Sequence, residues 1–131
     1  MKVYHSIEQF PSDIKTTLTI GTFDGVHKGH KHVLKRLNET AKKEGCESVL
    51  LTFYPHPRHV LYPDNQELKL LNTIEEKIEE LKKSGIQHFV IHEFTKEFSR
   101  TKSVNFIRDL LVNKLKMNQM VVGYDHHFGR N

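Results

Sequence analysis

Thr17-Leu18-Thr19-Ile20-Gly21-Thr22-Phe23-Asp24-Gly25-Val26-His27-Lys28-Gly29-His30 is the stretch on which the fold turns. Its first four residues read as a β-strand that stops at Gly21. A helix then runs from about position 28 to about 44, with Val33, Leu34, Leu37 and Ala41 at helical spacing. It closes on Lys42-Lys43-Glu44-Gly45, cations followed by glycine, an ordinary helix end. A strand that passes through a glycine-rich turn into a helix is the opening unit of an α/β domain.

The alternation continues outward from there. Ser48-Val49-Leu50-Leu51-Thr52-Phe53 is rich in apolar residues without alternation, as expected of a strand covered on both faces. A proline-rich loop follows over 54–64. A helix is predicted over 73–83, where Thr73 and Glu76 have capping-box spacing and Ile74, Ile78 and Leu81 form the inward face. Phe89-Val90-Ile91 reads as a third strand. A helix over 103–115 turns Phe106, Ile107, Leu110, Leu111 and Leu115 inward, and Met120-Val121-Val122 is a fourth strand ending at Gly123. Four strands alternating with three helices predict an open parallel sheet with flanking helices, a Rossmann-like arrangement.

Ligands of such sheets bind beyond the carboxyl ends of the strands. Three of the segments that leave those ends are dense in Gly, Pro and His: 21–30, 54–58 and 123–130. Gly21, Gly25 and Gly29 allow tight turns and close approach of the backbone to a ligand. A helix start presents free N–H groups and partial positive charge, which attract phosphate. His27 and His30, three apart, share one face of that first turn and can donate to phosphate oxygens. Two other readings stand beside this one: capping or surface histidines, and zinc ligands, although a catalytic zinc usually takes three protein ligands. His56 lies between Pro55 and Pro57, which stiffen its loop. His5, His32, His59, His88 and His92 fall in no such loop and are expected in solvent or in core polar contacts.

The decapeptide from Gly21 to His30 resembles the HxGH signature of the nucleotidyltransferase superfamily. More specifically it is similar to the adenylyltransferase module of bacterial bifunctional riboflavin kinase/FAD synthetases. Phe53-Tyr54-Pro55-His56-Pro57 is similar to the F-x-P-H-P loop of that family. Phe94-Thr95 with Phe98, then Phe106-Ile107, resemble a further segment, and Gly123-Tyr124-Asp125-His126-His127-Phe128-Gly129 resembles its G-x-D/N-F-x-F-G loop. The resemblance implies transfer of AMP from ATP to FMN, giving FAD and pyrophosphate, with magnesium assisting. It implies that His27 and His30 bind ATP phosphates and stabilise the transition state, in a pocket shaped by Gly21, Thr22, Phe23, Gly25 and Gly29. Pro55, His56, Pro57 and Phe128 would line the flavin side, and Asp125 would contact phosphate or magnesium. His126 stands where the family often has Phe. The sequence stops at Asn131, within that last loop. The family continues with a phosphate-holding I-S-S-T-x-I-R segment and a riboflavin kinase barrel. The chain is therefore expected to be the N-terminal part of the transferase domain, with little or no turnover alone.

Two alternatives remain at this level: an adenylyltransferase with another acceptor such as phosphopantetheine, and a nucleotide- or flavin-binding module without catalysis. The 131 residues suit one domain, and 20 Lys plus Arg against 16 Asp plus Glu give +4, mild enough for an anionic small substrate. Nucleic-acid binders usually carry a basic stripe, whereas these charges are spread along helices. No apolar run has membrane-spanning length, and the single Cys46 fits a reducing, cytoplasmic setting.

Overall fold

The computed structural model of the chain describes residues 1–21, 28–55, 60–61 and 73–122, with 28–30 described by backbone alone. Five strands form one sheet: β1 (Lys2–Tyr4), β2 (Thr16–Ile20), β3 (Glu47–Tyr54), β4 (His88–Glu93) and β5 (Met117–Met120). Their order is β1-β4-β3-β2-β5, and every neighbouring pair is parallel. Helix α1 (Lys28–Glu44) links β2 to β3, and α2 (Ile74–Lys82) precedes β4. A short α3 (Lys96–Ser99) and α4 (Ser103–Asn105) follow β4, and α4 runs on into a π-helix, Phe106–Val112. The chain thus steps from β2 outward to β3 and β4, then returns to the other side of β2 to lay down β5.

Both faces of the sheet are covered, which is why β2 and the middle of β3 are buried at consecutive positions. On one face Val33, Leu34 and Leu37 of α1 and Leu81 of α2 pack with Leu50, Phe89 and Ile91. On the other, Leu18, Ile20, Val49, Leu51 and Val90 meet Phe106, Leu111 and Leu115, together with Ile7 and Phe10. Period-two alternation along each strand assigns successive side chains to opposite faces. Each large apolar side chain so buried contributes about 1.5–3 kcal/mol.

The helix signals act as the sequence predicts. Thr73 Oγ1 accepts from Glu76 N–H at 3.1 Å, and Thr73 N–H donates to Glu76 Oε1 at 2.9 Å. Gly45 and Gly85 follow α1 and α2 with φ of +68° and +83°, the left-handed conformation that glycine adopts without steric cost.

Three expectations are corrected. The edge strand β1 was not predicted; three residues carry too little pattern to register. The last strand lies at Met117–Met120 rather than over 120–122. Pairing decided its position: Thr17 Oγ1 donates to Gln119 Oε1 at 2.8 Å, so the polar Asn118 and Gln119 sit in the middle of the edge strand while the apolar Val121 and Val122 lie past its end. The helix predicted over 103–115 is α-helical only at its start. Bonds from Asn113 N–H to Arg108 O (3.1 Å) and Leu115 N–H to Leu110 O (3.0 Å) widen the later turns. Short α3 is also additional to the prediction.

Candidate active site

Because all strands are parallel, their carboxyl ends share one rim. The exits of β3, β2 and β5 are adjacent there, with β2 in the middle. Gly21 N–H donates to Leu51 O at 3.1 Å, so the ladder between β2 and β3 continues one step past Ile20. On the other side, Val121 N–H donates to Leu18 O at 2.8 Å and Thr19 Oγ1 to Val121 O at 2.7 Å. The chain therefore leaves β5 beside the exit of β2. The connection from β2 leads through α1 to β3 on one side, and the connection from β4 returns to β5 on the other, so the chain changes direction at this point, the place where open α/β sheets bind ligands.

Helix α1 begins at this rim. Gly29 and His30 are in its first turn, placed by backbone. The first N–H groups of a helix have no partner within it, and those of α1 face the side of the sheet from which β2 emerges. Gly21 sits at the β2 exit and Pro55 at the β3 exit, exposed and joined to Tyr54 by a cis peptide. Thr22, Phe23, Gly25, His27, His56, Pro57, Asp125 and Phe128 lie outside the described residues. Three of the predicted segments are thus anchored at neighbouring strand ends, while the contacts of most of their side chains lie outside what the structure describes. Among the described residues no group of three or more His, Cys, Asp or Glu side chains is placed to hold a metal ion.

One feature of the rim was not predicted as a unit. Phe53, at the end of β3, has ring centroids 5.9 Å from Phe94, 5.4 Å from Phe98 and 6.2 Å from Phe106. His92 lies 5.1 Å from Phe98 and accepts Ile7 N–H at Nδ1 over 3.1 Å. Burial pushes the pKa of His92 down, against the opposing pull of Glu8 and Glu93. The sequence signal was present in the spacing of Phe94 and Phe98 around α3, but only the pairing of β3 with β4 brings Phe53 to them. Phe94 N–H donates to Tyr54 O at 3.1 Å, fixing this cluster beside the Tyr54–Pro55 turn.

At the opposite, amino end of the sheet, His88 is buried between Tyr4 Oη (3.0 Å from Nδ1) and Glu47 Oε1 (2.6 Å from Nε2). It is a core polar contact, as expected, and ties β1 to β3 across β4. Burial and the Glu47 charge raise the pKa of Tyr4.

A five-stranded parallel sheet with helices on both faces, in which β2 feeds a glycine-rich exit and a helix start at the switch point, is an α/β fold of the nucleotidyltransferase-like kind. The chain belongs to the FAD synthetase family, which matches residues 9–131. The bifunctional riboflavin kinase/FMN adenylyltransferase of Listeria monocytogenes is 34% identical over 119 residues, covering 91% of this chain and 38% of that protein. The protein of the same name from Escherichia coli is 34% identical over 125 residues, covering 95% of this chain and 39% of that one. The Bacillus subtilis protein of that name is 29% identical over 127 residues, covering 97% and 39%. The chain thus spans about two fifths of the length of these relatives. A solved structure described as a macrolide-efflux protein from Streptococcus pneumoniae superposes with a TM-score of 0.83 at 23% identity, over 97% of this chain and 42% of that one. At that identity the likeness is one of fold. No helix among the described residues is long and apolar enough to cross a membrane.

Proposed function

We propose that this chain builds the FMN adenylyltransferase site of its protein. A phosphate oxygen of FMN attacks the α-phosphorus of ATP, a new P–O bond forms, and the bond to the β-phosphate oxygen breaks. Pyrophosphate leaves and FAD remains. The reaction asks for positioning and charge stabilisation and for no covalent nucleophile. The observation that carries the reading is the adjacency of the β3, β2 and β5 exits, with α1 starting from the middle one. ATP phosphates seat on the first turn of α1, where His27 and His30 donate to the oxygens that gain charge. Gly21, Thr22, Phe23, Gly25 and Gly29 let the backbone approach them.

We assign the acceptor side to Pro55, His56, Pro57 and Phe128; of these, Pro55 directly follows the end of β3, where Phe53 joins the aromatic cluster. An aromatic neighbourhood suits a flat, largely apolar ring better than the flexible chain of a phosphopantetheine. Magnesium fits the chemistry by neutralising phosphate charge, and Asp125 is the carboxylate assigned to it. The described residues at the β2, β3 and β5 exits offer backbone carbonyls and no carboxylate, so this assignment rests on Asp125 alone. We place the reaction in the cytoplasm, with ATP and FMN as its partners and without nucleic acid or membrane. The relatives' names pair it with riboflavin kinase activity, which we assign to a further domain of the same protein.

The test is pyrophosphate release from ATP and FMN by a protein of the relatives' length. His27→Ala and His30→Ala each lower its rate by about two to three decades, the effect of removing one preorganised donor. Riboflavin phosphorylation stays unchanged. Unaltered FAD formation in both variants removes the assignment.

A further inference from the structure

Four threonines of the sheet are buried: Thr16, Thr17 and Thr19 in β2 and Thr52 in β3. Three of their hydroxyls are used. Thr16 donates to Leu115 O at 2.8 Å, Thr17 to Gln119 Oε1 at 2.8 Å and Thr19 to Val121 O at 2.7 Å, together pinning β5 to β2. Thr52 is 1% exposed, and its Oγ1 is buried with no hydrogen-bond partner among the described residues. Burying a hydroxyl unpaired costs about 1–3 kcal/mol, and valine has the same shape without that cost.

The position of Thr52 says what the hydroxyl is for. Leu50, two residues earlier on the same face, is buried in one cluster with Val33, Leu34 and Leu37 of α1. Helix α1 runs back from the rim, antiparallel to β3. Two strand residues advance about 6.6 Å toward the rim, which equals about four helical residues. Thr52 is therefore level with Gly29 and His30, under the first turn of α1, and one step past the Leu51–Gly21 hydrogen bond. The helix start offers only donors there, and none of its N–H groups uses the Thr52 oxygen. A hydroxyl added to a set of N–H donors completes a site for an oxygen acceptor, and the charge of the helix end makes that acceptor anionic.

We propose that Thr52 is a further ligand-binding residue of this site, its hydroxyl donating to a phosphate oxygen of the nucleotide seated on α1. The inference rests on the ATP reading above and adds a residue from β3 to it. Calorimetric titration of a protein of the relatives' length and its Thr52→Val and Thr52→Ser variants with ATP, adenosine and FMN tests it, alongside thermal melting without ligand. Thr52→Val melts at or above the parent temperature and binds ATP about tenfold or more weakly, the worth of a hydrogen bond to a charged group. Its affinity for adenosine and FMN is unchanged, and Thr52→Ser keeps ATP affinity near the parent value. Equal ATP binding by Thr52→Val overturns the inference and leaves the transfer reading standing. So does an equal loss for adenosine, or a lower melting temperature in Thr52→Val that Thr52→Ser does not share, since each points to a role away from phosphate. Failure of the unmodified protein of that length to bind ATP overturns both readings.

Discussion

His92 shows how one side chain ties the N-terminal segment to the rim. Its Nδ1 accepts Ile7 N–H, so this nitrogen must be unprotonated while Ile7 is held in the core. Burial favours that neutral form and lowers its pKa in the folded state. The unfolded chain binds the proton at about pH 6.5. Above that value both states are neutral at this residue and the contact contributes fully. As pH falls below it, the unfolded state takes up more protons, and stability is lost through the lowered folded pKa. The melting temperature therefore drops between about pH 7 and pH 5, and drops less in His92→Gln, whose amide oxygen accepts at any pH. Parallel pH profiles for the two proteins would remove the assignment. His27 and His30, by contrast, were chosen from the sequence because they fall at a helix start, a local property that needs no tertiary information.

At the scale of the element, local chemistry fixed α1 and α2 closely. The periodic apolar positions and the terminal glycines set α1 at Lys28–Glu44, and the Thr73–Glu76 box sets the start of α2. Thr73→Ala leaves the Glu76 N–H without its cap and costs about 0.5–2 kcal/mol, seen as a lower denaturation midpoint with an unchanged slope. Thr73→Ser keeps most of the stability. Strand β5 and the π-helix obeyed other forces. The β5 position follows from its pairing with β2, and the partner residues Thr16, Thr17 and Leu18 are about a hundred positions away in the chain. The π-helical turns pack Phe106 and Leu111 into the core under Phe53 and Val49, a condition that no window of ten residues contains.

For the molecule as a whole, Leu50 marks where the sheet and α1 are joined. It is fully buried at the centre of the α1-facing cluster. Leu50→Ala leaves a cavity and costs about 2–5 kcal/mol, read by chemical denaturation. Under the ATP reading, saturating nucleotide restores part of this loss, since a ligand present at a hundred times its Kd stabilises by about 2.7 kcal/mol. No gain in melting temperature with ATP would count against that reading. Local chemistry along the chain sets the alternation of strands and helices, the ends of the two longer helices and the glycine- and histidine-rich segments at strand exits. These depend on contacts within a few residues along the chain. The strand order, the place of β5, the aromatic cluster around Phe53 and the stranded hydroxyl of Thr52 emerge from long-range packing alone. Each depends on which distant segments become neighbours, and that is settled by how two covered faces of one sheet bury the most apolar surface while pairing the backbone.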